Sequence, residues 1–345
     1  MAVPWKILAV LVSSCLLQSA VRAETDNPDA YRLSDPVTHR NLAIYLVHGT
    51  SRGGPVPLTL QEAMARKAVE VREISRVNEL QVENVGDEEV FIQAGDIVKG
   101  GQQDRVLSVS LLLPPRSGTT SVASFCVESG RWSARAGEDV RMFSLSNALV
   151  PSRQTKLELA GVGARPPEGA PPSRQQEVWK SVSRIQDRLS SNLGTEVAAA
   201  RSRTSLQLSL ENGRLEREQA EYLAALEPLA EHADDIVGYV FAINGKVNSG
   251  DIYPSNGLFR KMWPKLLRAS ITEAIAELGG GNEPPPPAAA ATEFVAPTAT
   301  ARTVEAPAGE RTRVRVKESP RVMSLESRPA AAPPDAWLHR SYIAK

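Results

Sequence analysis

Between Asn78 and Trp132 the chain reads NELQVENVGDEEVFIQAGDIVKGGQQDRVLSVSLLLPPRSGTTSVASFCVESGRW, short apolar runs broken by turns that carry glycine or proline. Such runs are too short for long helices, and where they alternate with polar residues the period of two commits the segment to antiparallel strands. Strands are expected over residues 80–83, 89–93, 106–113 and 119–125, with Gly86-Asp87 as a hairpin turn between the first two. In the third, Leu107, Val109, Leu111 and Leu113 alternate with Val106, Ser108, Ser110 and Leu112, so the first set is expected to face the core. Pro114-Pro115 ends that strand, because proline has no amide hydrogen to give to a ladder.

Upstream, residues 41–47 read as a strand, 58–65 as a short helix with Thr59 as cap and Glu62 three residues on, and 69–74 as another strand. The glycine-bearing loop at 48–54 lacks a Gly-Lys-Ser/Thr ending and opens no convincing helix, which argues against a nucleotide cradle. Downstream the period changes. Val178, Val182, Ile185 and Leu189 form one stripe on a helix over about residues 175–190, and 217–229 reads as a second helix. Residues 238–243 and 247–252 flank Asn244-Gly245, a pair suited to a type I′ hairpin. Pro264 fits the first turn of a last helix reaching 278. The segregation of strands and helices argues an α+β fold, an antiparallel strand-rich N-terminal half packed with helices and a β-hairpin from the C-terminal half.

The ends differ in composition. Lys6, the apolar run at 7–17 and Val21-Arg22-Ala23 give residues 1–23 the form of a signal peptide, with an apolar run too short to span a bilayer. The rival reading retains an acylated Cys15 as a lipoprotein anchor. Either way a periplasmic or secreted location is expected, with no transmembrane span in the mature protein. Residues 24–40 read as a mobile lead-in, 41–278 as a single domain and 279–345 as a Pro/Ala-rich disordered tail with little apolar surface to bury. Within that tail Arg311, Arg313, Arg315 and Lys317 suit either a solvated linker or contact with an anionic partner, and 337–343 a docking motif. Forty basic and 40 acidic residues give no whole-chain attraction to nucleic acid, which is not expected as a partner.

His39, His48, His232 and His339 include no pair at ligand spacing, and Asp96 and Asp104 lack a third convergent carboxylate, so neither a metal nor another cofactor is expected. Cys126 is either a thiolate activated by Arg131 or Lys99, or buried packing. The loop at 95–105 is better suited to binding. Gly100-Gly101 can bring backbone donors to an anion, Lys99 and Arg105 add charge, Gln102 and Gln103 recognise amides or hydroxyls, and Asp96 and Glu128 close the pocket. The expected ligand-binding set is therefore Asp96, Lys99, Gly100, Gly101, Gln103, Arg105 and Glu128. The opposing account pairs Arg105 with Asp96 or Glu128, uses the glycines only for turns and packs Trp132 under the sheet.

The ordered motifs VNEL, VENxG, GDxxKGGxQxR, LPPxSG and CVExGRW, followed by EVWKSV at 177–182, FAINGKV at 241–247 and LFRKMWPKLLR at 258–268, resemble the bacterial ARPP-1 domain family. That family is named for its association with ADP-ribosylglycohydrolase and rhodanese-phosphatase proteins, and the likeness covers most of residues 41–275. It supplies no activity that transfers residue by residue. The residues themselves favour an exported domain that binds a small anionic or polyhydroxylated ligand, or an envelope protein partner. The name association implies the alternative, a hydrolase of a nucleotide-sugar-like or phosphorylated substrate, and a structural envelope protein is the third reading.

Overall fold

A computed structural model describes residues 31–74, 76–160, 174–281, 283–296, 301–331, 333 and 336–345. The expected signal over 1–23, Cys15 included, lies outside the described residues.

Strands β1 (Arg32–Leu33) and β2 (Val37–His39) both pair antiparallel with β3 (Leu42–His48), so the described part of the expected mobile lead-in contributes two short strands to a sheet. The reason is backbone pairing rather than apolar burial, since β2 is largely exposed. Next come β4 (Leu58–Thr59) and α1 (Leu60–Ala65), which starts with the reciprocal Thr59 and Glu62 capping box.

A run of short strands follows: β5 (Val69–Glu73), β6 (Glu79–Asn84), β7 (Val90–Ile92), β8 (Ile97–Gly100), β9 (Arg105–Leu107), β10 (Leu111–Leu113), β11 (Gly118–Cys126) and β12 (Phe143–Ser144). They form a six-stranded sheet in the order β12-β8-β9-β11-β6-β5 and a three-stranded sheet β10-β7-β4. The expected hairpin across Gly86-Asp87 does not form, because β6 pairs with β5 and β11 while β7 lies in the other sheet. Asn84 explains the change of course. Its amide donates to the Glu88 and Pro114 carbonyls at 2.8 Å, and its side-chain oxygen accepts from Gly86 N–H at 3.0 Å. That local turn lifts the chain out of the sheet. The strand expected over 106–113 is likewise divided into β9 and β10, and although Leu107, Val109, Leu111 and Leu113 are buried, so are Val106, Ser108 and Ser110, so the segment has no alternating solvent face.

Helices α2 (Arg153–Ala160), α3 (Arg174–Leu193), α4 (Leu206–Leu210) and α5 (Gly213–Leu226) follow. The stripe Val178, Val182, Ile185 and Leu189 is buried along α3. Strands β13 (Ile236–Ile243) and β14 (Lys246–Ile252) pair across Asn244 (φ 49°) and Gly245 (φ 73°), the two left-handed residues a type I′ turn needs. Helix α6 (Asn256–Ala276) begins under a Ser255 cap, so Pro264 is interior rather than in the first turn. After α7 (Ala288–Val295) come β15 (Arg302–Pro307), β16 (Thr312–Glu318), β17 (Val322–Pro329) and β18 (His339–Ala344).

These last strands overturn the expectation of a disordered tail from residue 279. They complete a nine-stranded sheet, β1-β3-β13-β14-β18-β17-β16-β15 with β2 beside β3. The alternating Arg313 and Arg315 are a strand signal, and they meet Glu305 and Glu326 across the sheet at 2.7–3.3 Å. At the centre, β3 and β13 are buried on both faces. Leu42, Ile44, Leu46, Tyr239 and Phe241 face a core shared with α3, α5 and α6, while Tyr45, Val47, Val240 and Ala242 face α7 and Trp337. A third apolar cluster lies between the two smaller sheets. The fold is α+β with strand-rich antiparallel sheets.

Candidate functional site

The loop between β8 and β9 turns through Gly100 (φ 115°) and Gly101 (φ 55°), and a Cβ at Gly101 would stand 2.6 Å from the Phe143 ring. The turn places Asp104 beneath it, where the carboxylate accepts from Gly100 N–H at 2.9 Å and Ser205 Oγ at 2.6 Å. Arg135 reaches both Asp104 oxygens, at 2.9 and 2.5 Å, and touches Glu128 at 3.2 Å. Glu128 also accepts from Arg131 at 2.6 and 2.8 Å, from Asp104 N–H at 3.1 Å and from Ser202. Burial pushes the Glu128 carboxyl up, but Arg131, Ser202 and the Asp104 amide outweigh it and hold it below the ordinary range. Burial likewise lowers Arg135, and its bond to Asp104 more than reverses that.

Arg105 is fully buried and pairs with Glu73 at 2.7 Å, the Val77 carbonyl at 3.0 Å and Cys126 Sγ, not with Asp96 or Glu128. Cys126 is buried packing, its thiol pushed up to about 11 by burial against the partial opposition of Arg105. Gln103 is buried, and neither of its amide atoms has a hydrogen-bond partner among the described residues. Trp132, which the opposing account packs under the sheet, is 56% exposed.

Asp96 belongs to a different group. It accepts from Lys265, from Gln61 Nε2 at 3.1 Å and from Gln93 N–H at 2.8 Å, and it shares no partner with Arg105 or Glu128. Lys99 binds Glu211 at 2.6 and 2.8 Å. The structure thus separates the expected seven residues. Glu128 and the two glycines belong to a closed ionic clamp with Asp104, Arg131 and Arg135, Arg105 is paired apart from it with Glu73, Gln103 is buried without a hydrogen bond among the described residues, and Asp96 and Lys99 hold residues of a neighbouring cleft.

That cleft, of about 660 Å³, lies between α1, residues 145–149, α4, α5 and α6. Lys265 and Gln61, both bound to Asp96, and Glu211, bound to Lys99, line it. Lys261 is paired with Glu62 at 3.3 Å. Arg268, one turn past Pro264 on α6, is exposed in the cleft and makes no ion pair among the described residues. Gln207, Gln219, Asn147 and Thr272 add amides and a hydroxyl.

A family model, the ARG and Rhodanese-Phosphatase-superfamily-associated Protein domain (ARPP-1), matches residues 30–343. The chain belongs to the ARPP-1 family. The match extends past residue 279 through β15–β18, consistent with those strands being part of the ARPP-1 domain. No curated protein and no solved structure matches the chain. Among the described residues no group of three or more His, Cys, Asp or Glu is placed to hold a metal ion, and no helix is long and apolar enough to cross a membrane.

One constellation of this ARPP-1 chain escaped the sequence reading. His339 contacts Ser110 at 2.9 Å through Nδ1 and Asp251 at 3.1 Å through Nε2, all three buried. Ser110 read as the outward face of a strand and His339 as part of a tail. No spacing signal links positions that far apart. The only pointer was Ser108 and Ser110 inside an otherwise apolar run.

Proposed function

We propose that this chain is an exported domain that binds a small polyhydroxylated compound bearing one anionic group, and that the ligand lies in the cleft along α6. The observation that carries the reading is the pairing pattern of the cleft. Lys265, Lys261 and Glu211 are neutralised by Asp96, Glu62 and Lys99, which leaves, among the described residues, Arg268 as a cation and Glu216 as a carboxylate with no ion pair amid amides and hydroxyls. Such a wall suits a hydroxyl-rich body whose single carboxylate or phosphate meets the guanidinium while Glu216 accepts from its hydroxyls. The ligand class is the one the sequence suggests; its place moves from the Gly100-Gly101 loop to the adjoining cleft, because the loop's own charges are consumed by one another.

Calorimetric titration with a panel of sugar acids and sugar phosphates tests this. A charge-assisted bond contributes about 1.5–3 kcal/mol, so Arg268→Ala is expected to weaken any hit about ten- to a hundredfold. Unchanged binding by a folded Arg268→Ala protein would remove the ligand from the cleft. Export is tested separately, by the terminal mass of the protein recovered outside the cytosol: a start at Glu24 supports cleavage after Ala23, and an acylated Cys15 overturns it.

A further inference from the structure

Ser110, Asp251 and His339 come from three separate parts of the chain: the link between β9 and β10, strand β14, and the first residue of β18. Their hydrogen bonds have one consistent direction. Ala94 N–H donates to Ser110 Oγ at 2.9 Å, occupying a lone pair of the hydroxyl oxygen. The Asp251 carboxylate accepts from His339 Nε2–H at 3.1 Å, which leaves Nδ1 as the ring's acceptor. The Ser110 proton therefore points at His339 Nδ1, 2.9 Å away. A hydroxyl aimed at an imidazole whose far nitrogen is held by a carboxylate is the arrangement that activates a serine for attack on a carbonyl.

The ring is fixed in place, stacked on Tyr253 with centroids 5.0 Å apart and edge-on to Phe91 at 6.2 Å. Burial raises the Asp251 carboxyl, but its hydrogen bond from His339, the positive charge of Lys156 and a hydrogen bond from Ser341 outweigh burial and hold it below its ordinary range. The relay also opens onto space. Ser110, Asp251 and His339 line a cavity of about 40 Å³ whose other walls include Leu149, Leu159 and Ile343. Lys156 lines the same cavity and supplies a positive charge there. Gln93, Ser108, Ser327 and Ser341 add to the lining, and the small volume admits a short acyl group but not a sugar or a nucleotide.

We infer that Ser110, His339 and Asp251 form a nucleophile–base–carboxylate site that hydrolyses esters of short-chain carboxylic acids. Ser110 Oγ attacks the ester carbonyl carbon while its proton passes to His339 Nδ1, and Lys156 faces the negative charge that develops on the carbonyl oxygen. Collapse breaks the bond to the leaving alcohol, which takes the proton from His339. A water then gives its proton to His339 and attacks the acyl-serine, and the carboxylic acid leaves as Ser110 recovers its proton. This cavity is distinct from the α6 cleft, with which it shares only Leu149 as a wall, and Arg268 does not line it, so Arg268→Ala is expected to leave its activity unchanged.

The test uses the full chain with a fluorophosphonate probe, which phosphonylates activated serines, and with p-nitrophenyl acetate as substrate. The expected result is a single adduct that maps to Ser110, together with p-nitrophenol release that the same adduct abolishes. His339→Asn and Asp251→Asn, checked for a retained melting transition, are expected to slow both by about a hundredfold or more, the usual contribution of a general base. The wild-type adduct map does not depend on any variant folding. An adduct on another residue, no adduct under denaturant-free conditions, or labelling unchanged in a folded His339→Asn protein overturns the assignment and leaves the relay as a packing device.

Discussion

Asp96→Ala should be among the most damaging single changes outside the apolar core. The carboxylate is fully buried and serves three donors, Lys265, Gln61 Nε2 and Gln93 N–H. Without it the Lys265 ammonium, whose side chain is only 7% exposed, keeps Gln61 Oε1 at 2.8 Å as its remaining hydrogen-bond partner. Breaking a buried pair by removing one member costs about 3–5 kcal/mol. The stranded Gln93 amide adds about 1–3 kcal/mol, so a loss of about 4–8 kcal/mol is expected, comparable with a domain's whole margin. The loss also carries a pH signature. Burial lowers the Lys265 pKa, and Asp96 is the main group opposing that shift, so the variant's lysine falls further. A lysine with a folded pKa below its unfolded value leaves more protons on the unfolded chain, and stability then rises with pH from the folded value up to about 10.4. Urea unfolding followed by tryptophan fluorescence, near neutral pH and at about pH 9.5, should therefore show Asp96→Ala recovering more than wild type does. Asp96→Leu combined with Lys265→Met, which removes both charges, should lie closer to wild type than Asp96→Ala alone. A single variant within roughly 1 kcal/mol of wild type and with the same pH slope would refute the claim that the pair is buried and mutually dependent.

Three further outcomes follow from particular contacts. Cys126 should resist an aromatic disulfide reagent in the folded protein and react fully in denaturant, since it is buried and its thiol is pushed up to about 11; rapid reaction of native protein contradicts this. Gly238→Ala should destabilise by about 1–3 kcal/mol or more. Its Cβ would stand 2.4 Å from the Asp251 carbonyl oxygen and 2.9 Å from Ile252 Cα, backbone atoms that move only if β13 and β14 part, and an unchanged melting temperature would count against that register. Glu128→Gln should lower stability at neutral pH and converge on wild type in acid: a carboxyl with a depressed folded pKa contributes stability above its ordinary value of 4.5 and loses it as pH falls through the folded one. A gap between the two proteins that persists at low pH would show that the Arg131 and Arg135 pairs contribute nothing through charge.

Local signals were legible where one residue type decides one backbone shape. Thr59 and Glu62 announced the cap of α1, Asn244-Gly245 the hairpin, and the stripe from Val178 to Leu189 the buried face of α3. What failed depends on partners distant in the chain. Residues 302–318 look like a solvated basic segment by composition, yet their period-two alternation was the strand signal, and their pairing with β17 satisfies a backbone that composition leaves unaccounted for. The 95–105 loop did concentrate the charged groups expected of it. Its counter-charges come from Glu73, Arg131, Arg135 and Lys265, and only the fold decides that they cancel one another rather than await a ligand. Gln103, buried with its amide unpaired, is the one member of that set for which the structure offers no physical account.

The order of the nine-stranded sheet bears on how the protein is made. Strand β14 is synthesised long before β18, yet β18 is its outer neighbour, pairing Ser249 with Ile343 and Ile252 with Arg340. Until residues 339–344 are in place, the hairpin of β13 and β14 has one side matched by β3 and the other open, a row of amide and carbonyl groups to which another chain can add a strand. A product that stops before residue 339 keeps that edge for good, and with it a bare Asp251 carboxylate facing the place where the His339 ring should stack. Premature termination in this gene would therefore yield a sticky, self-templating species rather than a smaller working protein.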